Sequence, residues 1–432
     1  MRIVVLHAGG LGDLILVETL LSGLRERYPT SHLTLVCHED GAPVASLYDR
    51  GPDAVIPFAF NPYRWALPTS EVAASIGPLL HTLAGDPVDL FISAELRATL
   101  LSDVLAAALS PGDAVIADPR TTRRATTDVA ILLRHLGLSV NRNVRNLPEV
   151  RNEHELDRYA RLGGVERRRL PALRVAENAD ASDAPLVVFP LGTPAIKRWP
   201  LRSIADAATR ISRDLSAPIA LVGSDSERTE LEAAVHQGLF DDRTVVVTGT
   251  PAELPRVAEA IARARGYLGI DTGLAHLATA FGVPGVTVFG GGTWPAYAPW
   301  RSTSAAVVAP IPCFGCDWDC AFDRAFCIEP IDVQSVVSAF EEVAGPDRDE
   351  PLVVQLQPYN ERESAIFRAA AAVHRASASD RSARLSAITR VRDILNRYVG
   401  QTRKRDLAKG EALQRVVAAA RAASAARRKR TD

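Results

Sequence analysis

Residues 267–290 read YLGIDTGLAHLATAFGVPGVTVFG. The stretch opens on the apolar run YLGI (267–270) and closes on GVTVFG (285–290), with the helix-like LAHLATAFG between them. Short apolar runs separated by one helix read as two buried parallel strands and their crossover. The acid, hydroxyl, glycine and histidine of DTGLAH (271–276) stand where the first strand hands over to the helix. In doubly wound sheets that position, beyond the carboxyl ends of the strands, is where ligands bind. GGLGD (9–13) raises the same question at the other end of the chain, between RIVVLHA (2–8) and an apolar-periodic segment.

Working outward, the pattern repeats on both sides. Strand-like runs occur at 2–8, 32–37, 54–58, 89–93 and 114–118, with helices at 14–28 and 100–109. In the first helix Leu14, Val17, Leu21 and Leu24 fall three or four apart, on one face. The rhythm loosens near VAENADASDAP, which is polar, small and without periodicity. It restarts with PLVVFP (185–190), PIALVG (218–223) and TVVVTG (244–249), separated by helices near 201–215, 226–238 and 253–264. Alternation of this kind builds parallel sheets covered by helices. The expectation is α/β: two doubly wound, Rossmann-like domains facing a cleft, over residues 1–170 and 185–348, joined by a linker at 171–184. Residues 349–432 read as a helical extension, in which Leu385, Ile388, Val391, Leu395 and Tyr398 form a narrow apolar stripe.

Composition narrows the classes. A chain of 432 residues exceeds one core, and 47% apolar with 23% charged residues is ordinary for a soluble globular protein. Its apolar runs are far too short to span a bilayer, and MRIVVLHAGG reads as a first strand rather than a signal peptide. Of 5 cysteines, four crowd into 313–327, which is not the spread of a secreted disulfide framework. A cytoplasmic protein is expected. From residue 361 onward 18 Lys and Arg stand against 7 Asp and Glu, a surplus of 11. With the whole chain at −1, the body before it carries −12. A basic tail suits an anionic partner, or is a solvated helical face.

Three loops carry chemistry. In HAGGLGDL the glycines let backbone approach a ligand at a helix N-terminus, which favours negative charge. A nicotinamide site is one reading, with Glu39 and Asp40 placed for a ribose, but G-x-G-x-x-G is missing and Asp13 would repel a pyrophosphate. Asp13 itself reads as a helix cap or as a general base, and spacing leaves both open. PLGTPAIKRWP (190–200) offers Gly192, Thr193 and the cation Lys197 as a diphosphate grip, with no Walker pattern anywhere. At DTGLAH the amides of Thr272, Gly273 and Leu274 could hold a diphosphate, and His276 reaches the same anion or is a satisfied core histidine.

Taken together, GGLGD, GTPAIKRWP and GIDTGLAHLATAFGVPGVTVFG resemble glycosyltransferase family 9, the heptosyltransferases of lipopolysaccharide assembly, over about residues 1–345. The resemblance implies a glycosyltransferase-B fold with the acceptor on the first domain and the nucleotide sugar on the second. It implies Asp13 as catalytic base and Lys197 as the diphosphate contact. Thr193, Glu227, Asp271, Thr272, Gly273, Leu274 and His276 would complete the donor site, without a catalytic cofactor. The expected activity is inverting transfer of a sugar, heptose first, from a nucleotide diphosphate such as ADP to a hydroxyl of a cell-envelope glycan. A protein acceptor, as in the autotransporter-modifying members, and an NAD-dependent oxidoreductase are the alternatives. Gly10, Gly12, Arg64, Arg97 and Arg120 would line the acceptor side, with Arg123 and Arg124 as further cations. Cys313, Cys316, Cys320 and Cys327 suit a structural zinc or iron by ligand type, or are four reduced thiols. The tail reads as a peripheral contact with the inner membrane face or as an oligomerisation element, and no nucleic-acid partner is expected.

Overall fold

The structure is a computed structural model. It describes residues 1–368 apart from 61–68, 97–98, 118–125, 140–142, 149, 151, 166–167, 176–183, 317, 319, 321, 323, 346–347, 362 and 366. The stripe from Leu385 to Tyr398 and the proposed linker's centre lie outside the described residues.

The described strands form two parallel sheets. In the first, β1 (Arg2–His7), β2 (His32–His38), β3 (Ala54–Phe58), β4 (Leu90–Ser93), β5 (Asp113–Ala117) and β6 (Val144–Leu147) run in the order β3-β2-β1-β4-β5-β6. In the second, β7 (Leu186–Phe189), β8 (Ile219–Ser224), β9 (Val245–Gly249), β10 (Gly266–Ile270), β11 (Gly285–Phe289), β12 (Ser304–Val308) and β13 (Leu352–Gln355) run β13-β12-β11-β10-β7-β8-β9. Each order reverses beside its first strand, at β1/β4 and at β7/β10, and a crevice opens at such a switch point. Strands β1, β7, β10, β11 and β12 are buried almost throughout, because helices cover both faces. That burial is why they read as unbroken apolar runs.

Helix α1 (Leu11–Arg27) departs from its one-faced reading. Every residue from Leu14 to Leu24 is buried, Glu18, Thr19 and Ser22 included. The cause is a second layer: α5 (Glu155–Gly163) and α9 (Gly273–Ala280) both pack against α1. The helix also starts three residues earlier than its apolar pattern, at Leu11, because Gly10 is its extended N-cap. Helix α9 stops at Ala280, just before GVPG. Gly282 takes φ 75°, and Val283 N–H closes on Ala278 O at 3.1 Å.

The proposed boundary at 348 falls short of the second sheet. Leu352–Gln355, assigned above to the helical extension, pairs in parallel with β12 as an edge strand. Its four residues are too few for periodicity to distinguish from a loop. Beyond it, Tyr359 Oη donates to Phe326 O at 2.9 Å, and buried Phe367 packs against Phe322, Phe326 and Tyr359. The first part of the extension is thus stitched onto the cysteine-rich segment.

Candidate active site

The two glycine loops meet. A Cβ on Gly273 would sit 2.8 Å from Leu11 Cβ and 2.9 Å from Gly12 N, and one on Gly12 would sit 2.9 Å from His276 Cδ2. Only hydrogen in place of a side chain lets the N-terminus of α1, from one sheet, abut the N-terminus of α9, from the other. A cavity of about 680 Å³ opens there, lined by Gly10, Gly12, Asp13, Thr193, Lys197, Asp271, Thr272, Gly273 and His276 among others. This size suits a small-molecule ligand.

Asp13 sits in the first turn of α1, and its two oxygens are held from opposite sides. Oδ2 accepts from Gly10 N–H at 2.9 Å, so the capping role is present. Oδ1 accepts from Tyr297 Oη at 2.6 Å, a residue of the loop after β11. A carboxylate offers about four acceptor positions, so two contacts leave room for a substrate hydroxyl.

On the opposing wall, β10 delivers buried Asp271, whose Oδ2 accepts from Thr293 Oγ1 at 2.9 Å. Burial pushes its carboxyl up, opposed by the Lys197 charge and the Thr293 hydrogen bond, while Asp13 adds to the rise. Burial likewise lowers His276 to about 4, with Asp13 opposing and Lys197 assisting, so its imidazole is neutral. Thr272, the N-cap of α9, has a buried Oγ1 without a hydrogen-bond partner. An orphaned hydroxyl, the open amides of a helix N-terminus and a lysine are groups able to hold an anion. The Lys197 ammonium lies 6.0 Å from the Trp318 ring centre.

Not every expected residue reaches the cavity. Leu274 lies in the first turn of α9 but packs partly buried against the core. The Glu227 carboxylate is turned on its own turn, accepting from Ser224 N–H and Oγ at 2.8 Å each, and does not line the cavity. Glu39 and Asp40 do not line it either, which removes the ribose carboxylate from the dinucleotide reading. Arg64, Arg97, Arg120, Arg123 and Arg124 lie outside the described residues.

Other residues line the cavity without having been singled out: Glu155, Arg158, Tyr297, Phe314 and Trp318. Arg158 and Glu155 form a buried ion pair at 2.5 Å, and Arg158 also donates to Glu95 O and Ala94 O. Helix α5 was missed because its segment is polar on average and its partner face is set by α1. The signal for Tyr297 was its place beyond the carboxyl end of a strand beside the switch point.

The four clustered cysteines are not joined in disulfides. Burial, reinforced by neighbouring thiols, raises Cys313, Cys316 (to about 12) and Cys327 (to about 11). Sulfur donors suit zinc or iron, yet among the described residues no three His, Cys, Asp or Glu side chains gather as a ligand set. The segment instead packs Phe314 and Trp318 onto the backbone of Gly290–Gly292, forming one wall of the cavity.

Comparison with known proteins agrees with the motifs. Residues 146–318 match the model of glycosyltransferase family 9 (heptosyltransferase). No curated protein matches the sequence. Among solved structures, a glycosyl transferase family 9 protein from Veillonella parvula is similar with TM-score 0.60 at 18% identity, over 79% of this chain and 97% of that one. The E. coli heptosyltransferase WaaC with ADP-2-deoxy-2-fluoro heptose follows with TM-score 0.56 at 20% identity, over 79% and 99%. E. coli ADP-heptose lps heptosyltransferase II has TM-score 0.57 at 17% identity, over 80% and 98%. The expected glycosyltransferase-B architecture and the resemblance to family 9 are borne out. The matched stretch takes in Thr193, Lys197, Asp271–His276 and Thr293, whereas GGLGD lies outside it.

Proposed function

We propose, from that family resemblance, that the chain is an inverting glycosyltransferase moving heptose from ADP-heptose to a hydroxyl of a cell-envelope glycan such as lipopolysaccharide core. The observation that carries it is the contact of Gly12 with Gly273, which puts a carboxylate from one sheet and an anion site from the other in a single cavity. Asp13 takes the acceptor proton while the acceptor oxygen bonds to the anomeric carbon. The bond from that carbon to the diphosphate breaks on the opposite face. Lys197, Thr193, Thr272 Oγ1 and the first amides of α9 hold the departing charge. Base and leaving group on opposite sides of one displacement invert the centre, as in inverting hydrolysis. The positive potential comes from a lysine and helix N-termini. No helix among the described residues is long and apolar enough to cross a membrane. The surplus of 11 positive charges from residue 361 onward would hold the enzyme at the anionic inner face.

The test is Asp13→Ala. Turnover of ADP-heptose falls about 10²- to 10⁴-fold, the range for a lost general base, while ADP affinity by calorimetry stays the same. A variant that transfers sugar at the normal rate would reduce Asp13 to a helix cap.

A further inference from the structure

We propose that Tyr297 is the positioning residue of the base: its hydroxyl, donated across the cleft at 2.6 Å, aims the Asp13 carboxylate at the donor corner. The inference rests on the reading of Asp13 as base. It goes beyond that reading by making the base's orientation conditional on the two halves being together.

The geometry argues for it in three ways. First, the bond joins residues 284 positions apart, from a helix on one sheet and a loop on the other. Second, that loop is itself held at both ends. Thr293 Oγ1 donates to Asp271 Oδ2 at 2.9 Å. On the far side Ala296 O accepts from Glu155 N–H at 2.9 Å, and Ala298 O faces His154 Nε2 at 2.8 Å. Burial lowers His154 to about 4, so the ring is neutral and its Nε2–H donates to the carbonyl. A loop fastened to the donor acid and to α5 cannot rotate Tyr297 away without breaking one of those bonds. Third, burial holds the Tyr297 phenol well above its ordinary range, so it stays a donor, and its ring lies edge-on to His276.

With Gly10 N–H on one oxygen and Tyr297 Oη on the other, the carboxylate plane is set by two donors. Each oxygen keeps a further lone pair for the acceptor hydroxyl. Separate the halves and Oδ1 loses its donor, leaving the carboxylate free to turn about its last bond. The base is therefore aimed only in the closed enzyme, which ties proton removal to the arrangement that also holds the diphosphate.

The experiment uses the full chain with ADP-heptose and deacylated lipopolysaccharide core, reading ADP release. Tyr297→Phe keeps the ring against His276 and removes only the hydroxyl. Expected is a fall in kcat of about 10- to 100-fold, the range of one hydrogen bond to a charged group. The donor KM, ADP affinity and Tm stay unchanged. In an Asp13→Asn background the same substitution costs nothing further, because the two act as one unit. Full kcat in Tyr297→Phe, or an equal loss in the Asp13→Asn background, overturns the proposal. Normal turnover in Asp13→Asn alone overturns the assignment of the base beneath it, which is a separate result.

Discussion

Lys197 faces the cleft from the short helical turn Ala195–Lys197 that follows the first strand of the second sheet, and its charge reaches both Asp271 and His276. Its ammonium stands beside the Trp318 face and forms no ion pair among the described residues. Such a group is available to meet negative charge as it develops on a leaving diphosphate. Lys197→Met keeps the stem and removes the charge. It lowers kcat about 10²- to 10³-fold and weakens ADP binding, read by steady-state kinetics and calorimetry. This pattern contrasts with Asp13→Ala, where affinity persists while turnover is lost. The histidine beside them illustrates how a residue's role depends on surroundings. Spacing left His276 between anion contact and core histidine. Its buried, neutral imidazole lies against Gly12 and lines the cavity, so it is packed and available at once.

Two helix N-termini converge where α1 abuts α9, and at this scale glycine decides. A β-carbon on Gly273 meets backbone and a Cβ, not the flexible end of a side chain, so nothing nearby can yield cheaply. Gly273→Ala wedges the two helices apart. We expect a stability loss of about 1–3 kcal/mol, typical of overpacking, read by urea denaturation. Turnover falls with it, because the wedge separates Asp13 from Thr272 and Lys197. A variant with unchanged stability and turnover would show that the contact is looser than described. The same elements explain which motifs were legible. DTGLAH and GGLGD stood out because strand ends, glycine and helix starts leave local signatures. Helix α5 was harder to read: it is short and polar on average, and beside Leu156, Tyr159 and Leu162 it buries the paired charges of Glu155 and Arg158.

The molecule as a whole stores its acid sensitivity in buried histidines. Burial, with the Arg158 charge, lowers His7 to about 3, and burial lowers His154 and His276 to about 4 each. The unfolded chain binds these protons near 6.5, so between about 6.5 and 4 it holds more protons than the folded state. Their contribution to stability is therefore complete above pH 6.5 and is lost as the pH falls toward 4. Glu18 and Asp271, raised by burial, pull the other way at the acid end. A thermal scan from pH 7.5 to 4.5 should show Tm falling most steeply below 6.5, and His154→Gln should flatten that fall. A Tm constant across this window would mean that these rings are not buried neutral. His154 bears on function too, since it anchors the loop that carries Tyr297 to Asp13.

What the chain's order of residues determined alone is local: two runs of alternating strands and helices, the glycine loops at the ends of β1 and β10, the lysine after β7. Each rests on interactions among residues near one another, which periodicity and turn chemistry record. Tertiary structure decided everything that depended on one half meeting the other. It decided that Gly12 and Gly273 are glycines for each other's sake, that Tyr297 holds Asp13 from the far wall, that Glu227 turns to its own capping box, and that Leu352–Gln355 belongs to a sheet. The physical reason is that hydrogen bonds and steric contacts between distant segments leave no periodic trace in either segment. They exist only once both are in place.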